Sequence, residues 1–473
     1  MDALSFYKLL SKKFAHQATL MQDMVLRQLS DFVFSNTSDT VFLLKGFAGT
    51  GKTTTISVLV NNLWNAKKKS VLLAPTGRAA KVIAGYSGKE AHTIHRKIYF
   101  PRKQKNGGIQ FVLAPNKYRD TLFIIDEASM ISDVSTDSRL FDNGSLLDDL
   151  MMYVYSGYQC KLILVGDVAQ LPPVHLKISP ALDKNHLSLT YNKQVTTLEL
   201  DEVVRQEEDS GILANATHLR EQLQTGFITS FKFNLNGYND VIRLIDSYDI
   251  QEAISEAYDN SGLEETVIIV RSNKRAGLYN QQIRSKILFH EQELSIGDHL
   301  MVVKNNYFWL KPTSEAGFIA NGDIIEVLNI QAIKQLYGFA FAEVTVKMVD
   351  YPNQKPFETV LLLDTIKHET PSLSYEDSNK LYEEVMKDYS HEKSKYKKFL
   401  NVKKNKYFNA LQVKFSYAIT CHKSQGGQWG TVFVEQPYMS NDTMDIEDAR
   451  WLYTAITRAT YKLYLIGFKE HFF

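Results

Sequence analysis

Cysteine is nearly missing from this chain: 473 residues hold two, Cys160 and Cys421. That excludes a disulfide-stapled scaffold and fits a reducing compartment. An excess of one charge is also missing. With 54 basic and 53 acidic residues the net charge is +1, so any nucleic-acid site must be a local patch or groove. No apolar run reaches the roughly eighteen residues that a membrane span needs. The stretch 1–17 has scattered charges and no secretory pattern, so a cytoplasmic protein is expected. There is no internal repeat and no long low-complexity tract. What remains is an ordinary globular composition, 44% hydrophobic and 23% charged. At about 150 residues per domain, the length suggests about three domains.

One stretch organises the rest. Residues 46–53 read Gly-Phe-Ala-Gly-Thr-Gly-Lys-Thr and follow the apolar run 41–44. Glycines at 46, 49 and 51 permit positive φ, so successive N–H groups can turn toward one anion. Lys52 can reach β- and γ-phosphates, and the Thr53 hydroxyl can hold Mg²⁺. Residues 54–64 suit a helix whose dipole adds to the site. Gly46, Ala48, Gly49, Thr50, Gly51, Lys52, Thr53 and Thr54 are therefore the candidate nucleotide cradle. The bland alternative is a glycine-rich turn, but the full spacing between strand and helix favours the phosphate loop.

Two buried-type strands follow, each ending in polar residues. Residues 121–125 (Thr-Leu-Phe-Ile-Ile) lead into Asp126-Glu127. Such a run suits a parallel strand covered on both faces. Adjacent carboxylates at its end point apart, so Asp126 is assigned to the metal's water shell and Glu127 to the general base. Residues 161–165 lead to Gly166-Asp167-Val168-Ala169-Gln170, and Gln170 is placed to sense a γ-phosphate. Arg205 and Arg458 are the candidate cations for transferring phosphate. The plain alternative for Arg205 is a surface ion pair with Asp201 or Glu202, and Arg458 alone reads better as a surface arginine near a helix end.

Other stretches suit a polymer of phosphates and bases. The strand 70–74 ends in Pro75-Thr76-Gly77-Arg78, where short side chains at a helix start suit a backbone-phosphate contact or a plain N-cap. His92 and His95 stand three apart, but no further ligand set lies nearby, so a polar contact to substrate is preferred to metal. Residues 99–120 read as a β-hairpin around Asn106-Gly107-Gly108, with Phe111 or Phe100 as a base-stacking tip. The Lys-rich run 393–406 reads as a solvated face or, less readily, a contact to strand phosphates. Residues 6–34 look like a single helix containing Gln22, and 376–408 look like a long charged helix.

Taken together these blocks resemble the superfamily-1 helicases that move 5′→3′, most like the RecD and Dda group. The resemblance rests on Gln22, 46–53, 74–81, 91–95, 126–129, 166–174, 204–206, 419–427 (with Thr-Cys-His-Lys-Ser-Gln-Gly) and 453–459 (Tyr-Thr-Ala-Ile-Thr-Arg-Ala). It implies an α/β fold of two RecA-like parallel-sheet domains, a β-hairpin pin and an SH3-like β insertion. The implied division is 1–200 with a pin at about 99–120, then 201–325 with 411–473, and an insertion over 326–410. It implies ATP and Mg²⁺ in the interdomain cleft, with Lys52, Glu127, Gln170, Arg205 and Arg458 catalytic and Gln22 on adenine. Thr53 and Asp126 would hold the metal. Single-stranded DNA and single-strand/duplex junctions would meet Pro75, Thr76, Thr93, His95, Phe111, Asn273, Thr420 and His422. A monomer that can work with single-strand-binding, replication or repair proteins is the implied state. One departure stands out: after Gln425-Gly426 the family often has a small residue and then an acidic one, whereas this chain has Gly427-Gln428-Trp429. Three rivals stay open: a motor that remodels nucleoprotein complexes without opening duplex, an RNA helicase, and an ATP-gated binding switch without translocation.

Overall fold

A computed structural model describes residues 1–103, 109–134, 145–202, 210–226, 228, 230–311, 314–370, 372–439 and 443–473. Its strands are β1 (Thr40–Gly46), β2 (Lys69–Ala74), β3 (Ala91–Thr93), β4 (Tyr99–Lys103), β5 (Ile109–Leu113), β6 (Thr121–Ile125), β7 (Lys161–Gly166) and β8 (Gln194–Leu200). They continue with β9 (Val241–Leu244), β10 (Thr266–Val270), β11 (His299–Val302), β12 (Ile324–Leu336), β13 (Phe339–Met348), β14 (Phe357–Leu362), β15 (Leu411–Phe415), β16 (Ala418–Thr420), β17 (Trp429–Glu435) and β18 (Ala459–Ile466).

The first sheet is fully parallel in the order β3-β2-β6-β7-β1-β8. Its apolar runs are buried on both faces, as unbroken runs in a parallel sheet must be. Val41, Leu43, Phe123 and Ile125 face one core, and Phe42, Leu44, Leu122 and Ile124 face the other. The second sheet is also parallel, in the order β16-β10-β17-β18-β9. The α/β class with two RecA-like parallel-sheet units is thus as expected. The carboxyl ends of β1, β6 and β7 lie side by side, which is where an open parallel sheet offers a ligand crevice.

A closed barrel runs β11-β12-β13-β14-β15. The sequence placed the insertion at 326–410, but β11 and β15 lie outside that span and complete the barrel. The reason is pairing: β11 hydrogen-bonds antiparallel to both β12 and β15, and closure leaves no exposed edge. β4 and β5 form a separate two-stranded antiparallel sheet, as expected for the hairpin. Its tip, 106–108, lies outside the described residues, as does most of the 132–144 loop.

Two expected long helices are each broken in two. In place of one helix over 6–34 there are Ala3–Lys13 and Leu20–Phe34, because Thr19 and Gln22 form a reciprocal capping box that starts a new helix. The 376–408 run splits into Tyr375–Lys387 and Lys395–Lys404, the second opened by a Ser394 cap. No helix among the described residues is long and apolar enough to cross a membrane.

The barrel docks on the first unit at the helix Gly77–Ser87. A Cβ built on Gly77 would lie 2.5 Å from Tyr351 Oη and 2.8 Å from Asp323 Oδ1, so a side chain there would force the two units apart. Asp323 is 2% exposed, and Oδ2 accepts from the Ala320 N–H at 2.7 Å. Asp350 lies beside it and takes Lys81 at 3.5 Å. Burial, reinforced by the Asp350 charge, raises the Asp323 carboxyl to about 8. The folded state therefore keeps a proton that the unfolded chain releases. The stability this gives is present at low pH and is lost as pH rises through about 8. Asp323→Asn mimics the protonated form. Its melting temperature is expected to exceed that of the wild type by a margin that grows between about pH 5 and pH 8 and then levels off. A pH-independent difference in thermal melts would refute the assignment.

Candidate active site in the interdomain cleft

The loop after β1 is shaped by its glycines. Gly49 and Gly51 have φ of 73° and 81°, the left-handed region that other residues rarely adopt. A Cβ on Gly46 would lie 2.9 Å from Lys52 Cγ, so the lysine stem needs that space. Lys52 Nζ donates to the Phe47 carbonyl at 2.6 Å, and Thr50 Oγ1 donates to the same oxygen at 2.9 Å. The following helix, Lys52–Asn62, starts at Gly51 with no side-chain cap. Its first N–H groups are left for an anion. Thr53 is half-buried and Thr54 exposed at this helix start.

Gln22 lies beneath this loop. It is 2% exposed; Nε2 donates to Thr50 O at 3.0 Å, and Oε1 accepts from the Thr19 N–H at 3.1 Å. The expected adenine reader thus also braces the loop, leaving one amide hydrogen and one lone pair for a base.

At the end of β6, Asp126 Oδ1 accepts from the Glu127 N–H at 2.9 Å. Glu127 has φ of 54°, a strained conformation for a non-glycine residue. Burial and then the Glu127 charge raise the Asp126 carboxyl to about 6, against a smaller opposing pull from Lys52. Arg458 Nη1 lies 4.0 Å from Glu127 Oε1. Arg458 is 3% exposed, and carbonyls of Thr454 and Gly427 take its Nε and Nη1. Gln170 is 7% exposed, and its Oε1 is buried with no hydrogen-bond partner among the described residues. Arg205 lies outside the described residues.

The second unit closes on these loops through side chains to which sequence reading assigned no role. Tyr453 Oη accepts from the Ala48 N–H at 2.9 Å and donates to Asp167 Oδ2 at 2.7 Å. The Leu171 N–H donates to Thr454 Oγ1 at 2.8 Å, and Gln425 Nε2 donates to the Leu171 carbonyl at 2.6 Å. Tyr453 and Thr454 fall inside the recognised 453–459 motif, but only the fold shows what they touch.

Comparison with known proteins fits this geometry. Residues 32–232 match the AAA domain, and residues 415–466 match the UvrD-like helicase C-terminal domain. The Ala48–Tyr453 contact joins the two matched segments. The chain is 25% identical to the ATP-dependent DNA helicase dda of Enterobacteria phage T4, over 89% of this chain and 93% of that one. It is 30% identical to the ATP-dependent RecD2 DNA helicase of Deinococcus radiodurans, over 37% of this chain and 21% of that one. A Pif1 helicase from Bacteroides, solved in complex with ADP-AlF3 and ssDNA, aligns at a TM-score of 0.47 with 16% identity, covering 96% of this chain and 94% of that one. The chain is a homologue of the Dda and RecD2 helicases.

In this Dda- and RecD2-like chain the expected strand-contact residues divide. Asn273 and Thr420 line one cavity of about 380 Å³, with Lys274, Lys414 and Lys423. Burial lowers the Lys423 ammonium to about 8. Pro75 is half-buried beside Thr76. Thr76 and Thr93 cap their own helices, accepting from the Ala79 and Arg96 N–H groups. His95 is held near neutral form, its pKa lowered by burial to about 4. His422 is exposed. Phe111 departs from expectation. It is 7% exposed and packs 4.1 Å from the Tyr307 ring, so its face meets the barrel side of the molecule and not an open base. Phe100, at 41% exposed, is the freer aromatic of the hairpin. Among the described residues no cluster of three or more His, Cys, Asp or Glu could hold a metal.

The departure at Trp429 also finds a partner. Arg78 lies 4.1 Å over the indole, and its Nη2 donates to the carbonyls of Gln428 at 3.1 Å and Glu264 at 3.3 Å. This contact spans the two units, and a cation on a buried indole contributes about 1–2 kcal/mol. Trp429→Ala is expected to lower the closed fraction about tenfold, and Trp429→Phe far less. The check is a donor–acceptor dye pair placed across the cleft; equal closure in both variants would exclude the contact as a latch.

Proposed function

We propose that this chain is an ATP-dependent DNA helicase that translocates 5′→3′ on single-stranded DNA and separates duplex at a junction. The observation that carries this reading is the closed cleft: Ala48 of the phosphate loop bonds to Tyr453 of the second unit, while Arg458 approaches Glu127. A plain nucleotide-binding domain has no need for a second sheet whose cation and phenol reach its loop. The names of the relatives, DNA helicases both, point the same way.

In this reading the backbone amides of residues 49–53 and Lys52 hold the ATP phosphates. The uncapped helix start and the Gly46 cradle both fit such a polyanion. Thr53 and Asp126 supply hard oxygen donors suited to Mg²⁺, which when bound neutralises phosphate charge. Glu127 orients the attacking water and takes its proton. Gln170 contacts the γ-phosphate, and Arg458 and Arg205 offset charge as it develops. Gln22 borders the adenine. Losing the γ-phosphate removes the charge that holds Arg458 and Lys52 across one cleft, and the units separate. Alternating grip by Pro75, Thr76, Thr93 and His95 on one unit and Asn273, Thr420 and His422 on the other then advances the strand. The β4–β5 hairpin meets the junction, with Phe100 replacing Phe111 as its stacking candidate. The proposed division is residues 1–200, then 201–298 with 416–473, and a barrel with its helical extension over 299–415.

Lys52→Ala and Glu127→Gln are expected to lower DNA-stimulated ATP hydrolysis at least about a hundredfold while leaving the fold intact. Wild-type protein is expected to separate 5′-tailed duplexes and leave 3′-tailed ones paired. The reading fails if either variant turns over normally. Preference for a 3′ tail would reverse the polarity, and stronger stimulation by RNA than by DNA would favour the RNA helicase.

A further inference from the structure

One buried cation in the cleft has no place in the mechanism above. Arg220 projects from the helix Gly211–Thr225 and is 7% exposed. Its guanidinium carbon lies 4.6 Å from the centroid of the Phe47 ring. Phe47 is the loop residue whose carbonyl receives Lys52 and Thr50. Nε and Nη1 of Arg220 are buried with no hydrogen-bond partner among the described residues. A guanidinium carries donors and no acceptor, so only an acceptor can meet these nitrogens.

Arg220 lines a cavity of about 370 Å³ together with Phe47, Asp167 and Gln170. Asp167 is already engaged: Oδ1 accepts from the Ala169 N–H and Oδ2 from Tyr453. Arg450 lines the same cavity; its Nη1 holds the Lys177 carbonyl, while its Nε and the Ser129 hydroxyl there have no partner among the described residues. Gln170 Oε1 is an amide acceptor without a donor among the described residues. Among the described residues this cavity therefore holds unmet guanidinium donors of the second unit, on Arg220 and Arg450, and the unmet Gln170 amide oxygen of the first.

We propose that Arg220 is a positioning residue for the γ-phosphate contact: in the nucleotide-loaded cleft it donates to Gln170 Oε1 and so directs the amide N–H groups of Gln170 at the phosphate. An amide has one oxygen and one NH₂. Holding the oxygen on a guanidinium leaves the NH₂ for an anion and keeps the oxygen, which would repel it, turned away. The phosphate loop would then be read twice by the helix Gly211–Thr225, through Phe47 packing and through Gln170. This inference rests on the helicase reading of the same site.

The test compares Arg220→Gln, Arg220→Lys, Gln170→Leu and the Arg220→Gln/Gln170→Leu pair. Each full-length protein, with oligo(dT) bound, is titrated with fluorescent ADP alone and with fluorescent ADP plus aluminium fluoride. Arg220→Gln is expected to weaken the aluminium fluoride complex about tenfold and ADP alone less than about twofold. Arg220→Lys should retain part of the difference, and the pair should lose no more than the worse single variant. The ratio of two affinities on one sample is insensitive to a fraction of unfolded protein. Equal losses for both ligands, no loss for either, or losses that add in the pair would overturn the assignment of Arg220. A wild-type chain that binds both ligands equally would instead sink the ATP-hydrolysis reading itself.

Discussion

The Tyr453 phenol is the contact on which the cleft depends. It has one hydrogen, which goes to Asp167, and it accepts the Ala48 amide from the phosphate loop. It is 1% exposed, and burial, helped by the Asp167 charge, raises its pKa well above the usual phenol value. It therefore stays a neutral donor and acceptor throughout the physiological range. A hydrogen bond of this kind contributes about 1 kcal/mol net, whereas one left unmade in a buried site costs about 1–3 kcal/mol. The phosphate loop, the β7 loop and the helix Ile446–Ile456 are thus fixed by one side chain. A change in the loop's anion is felt directly by the second sheet.

Around that phenol the site holds groups that are poorly satisfied among themselves. Asp126 and Glu127 are adjacent carboxylates, one with a raised pKa and the other with its backbone in the left-handed region. Among the described residues, Gln170 has an acceptor with no donor, and Arg220 has donors with no acceptor. Structural cores do not ordinarily tolerate several such groups within one crevice. A polyanion with a divalent cation would supply the missing partners for both signs, so the same tension that weakens the bare cleft becomes affinity and closure when it is filled.

How much of this was legible in the sequence depended on what each residue must do locally. The phosphate loop and the β6 carboxylates could be read directly, because backbone N–H groups that turn on an anion demand glycine at fixed spacing and a buried parallel strand demands an unbroken apolar run. The barrel was found but misplaced at both ends, since its closing pair, β11 with β15, joins residues more than a hundred positions apart and local pattern carries no trace of such pairing. The helix breaks were missed because apolar periodicity persists across 14–19, while the Thr19 and Gln22 capping box overrides it. Phe111 looked like an exposed hairpin aromatic; its burial against Tyr307 is a tertiary fact. Arg220 carried no signal at all, because an arginine in a helix is unremarkable until its surroundings are known.

The helix Gly77–Ser87 shows how the three units constrain one another. At its start, Gly77 leaves clearance for Tyr351 and Asp323 of the barrel, and Arg78 covers Trp429 of the second sheet. Gly426, with φ of 73°, lies where a Cβ would come within 2.8 Å of Ala79 Cβ and 3.2 Å of Thr76 Oγ1. Side chains of the barrel and the Gly426 backbone of the second unit therefore approach this one helical turn at contact distance, with no side chain on Gly77 or Gly426 to act as a spacer. Close-packed surfaces of this kind slide or separate as units and do not deform gradually. Because Thr76 belongs to the same turn, the expected strand contact on the first unit cannot shift without the barrel and the second sheet shifting against it. The coupling between cleft and strand then needs no long chain of side chains, since one helix end already touches all three units.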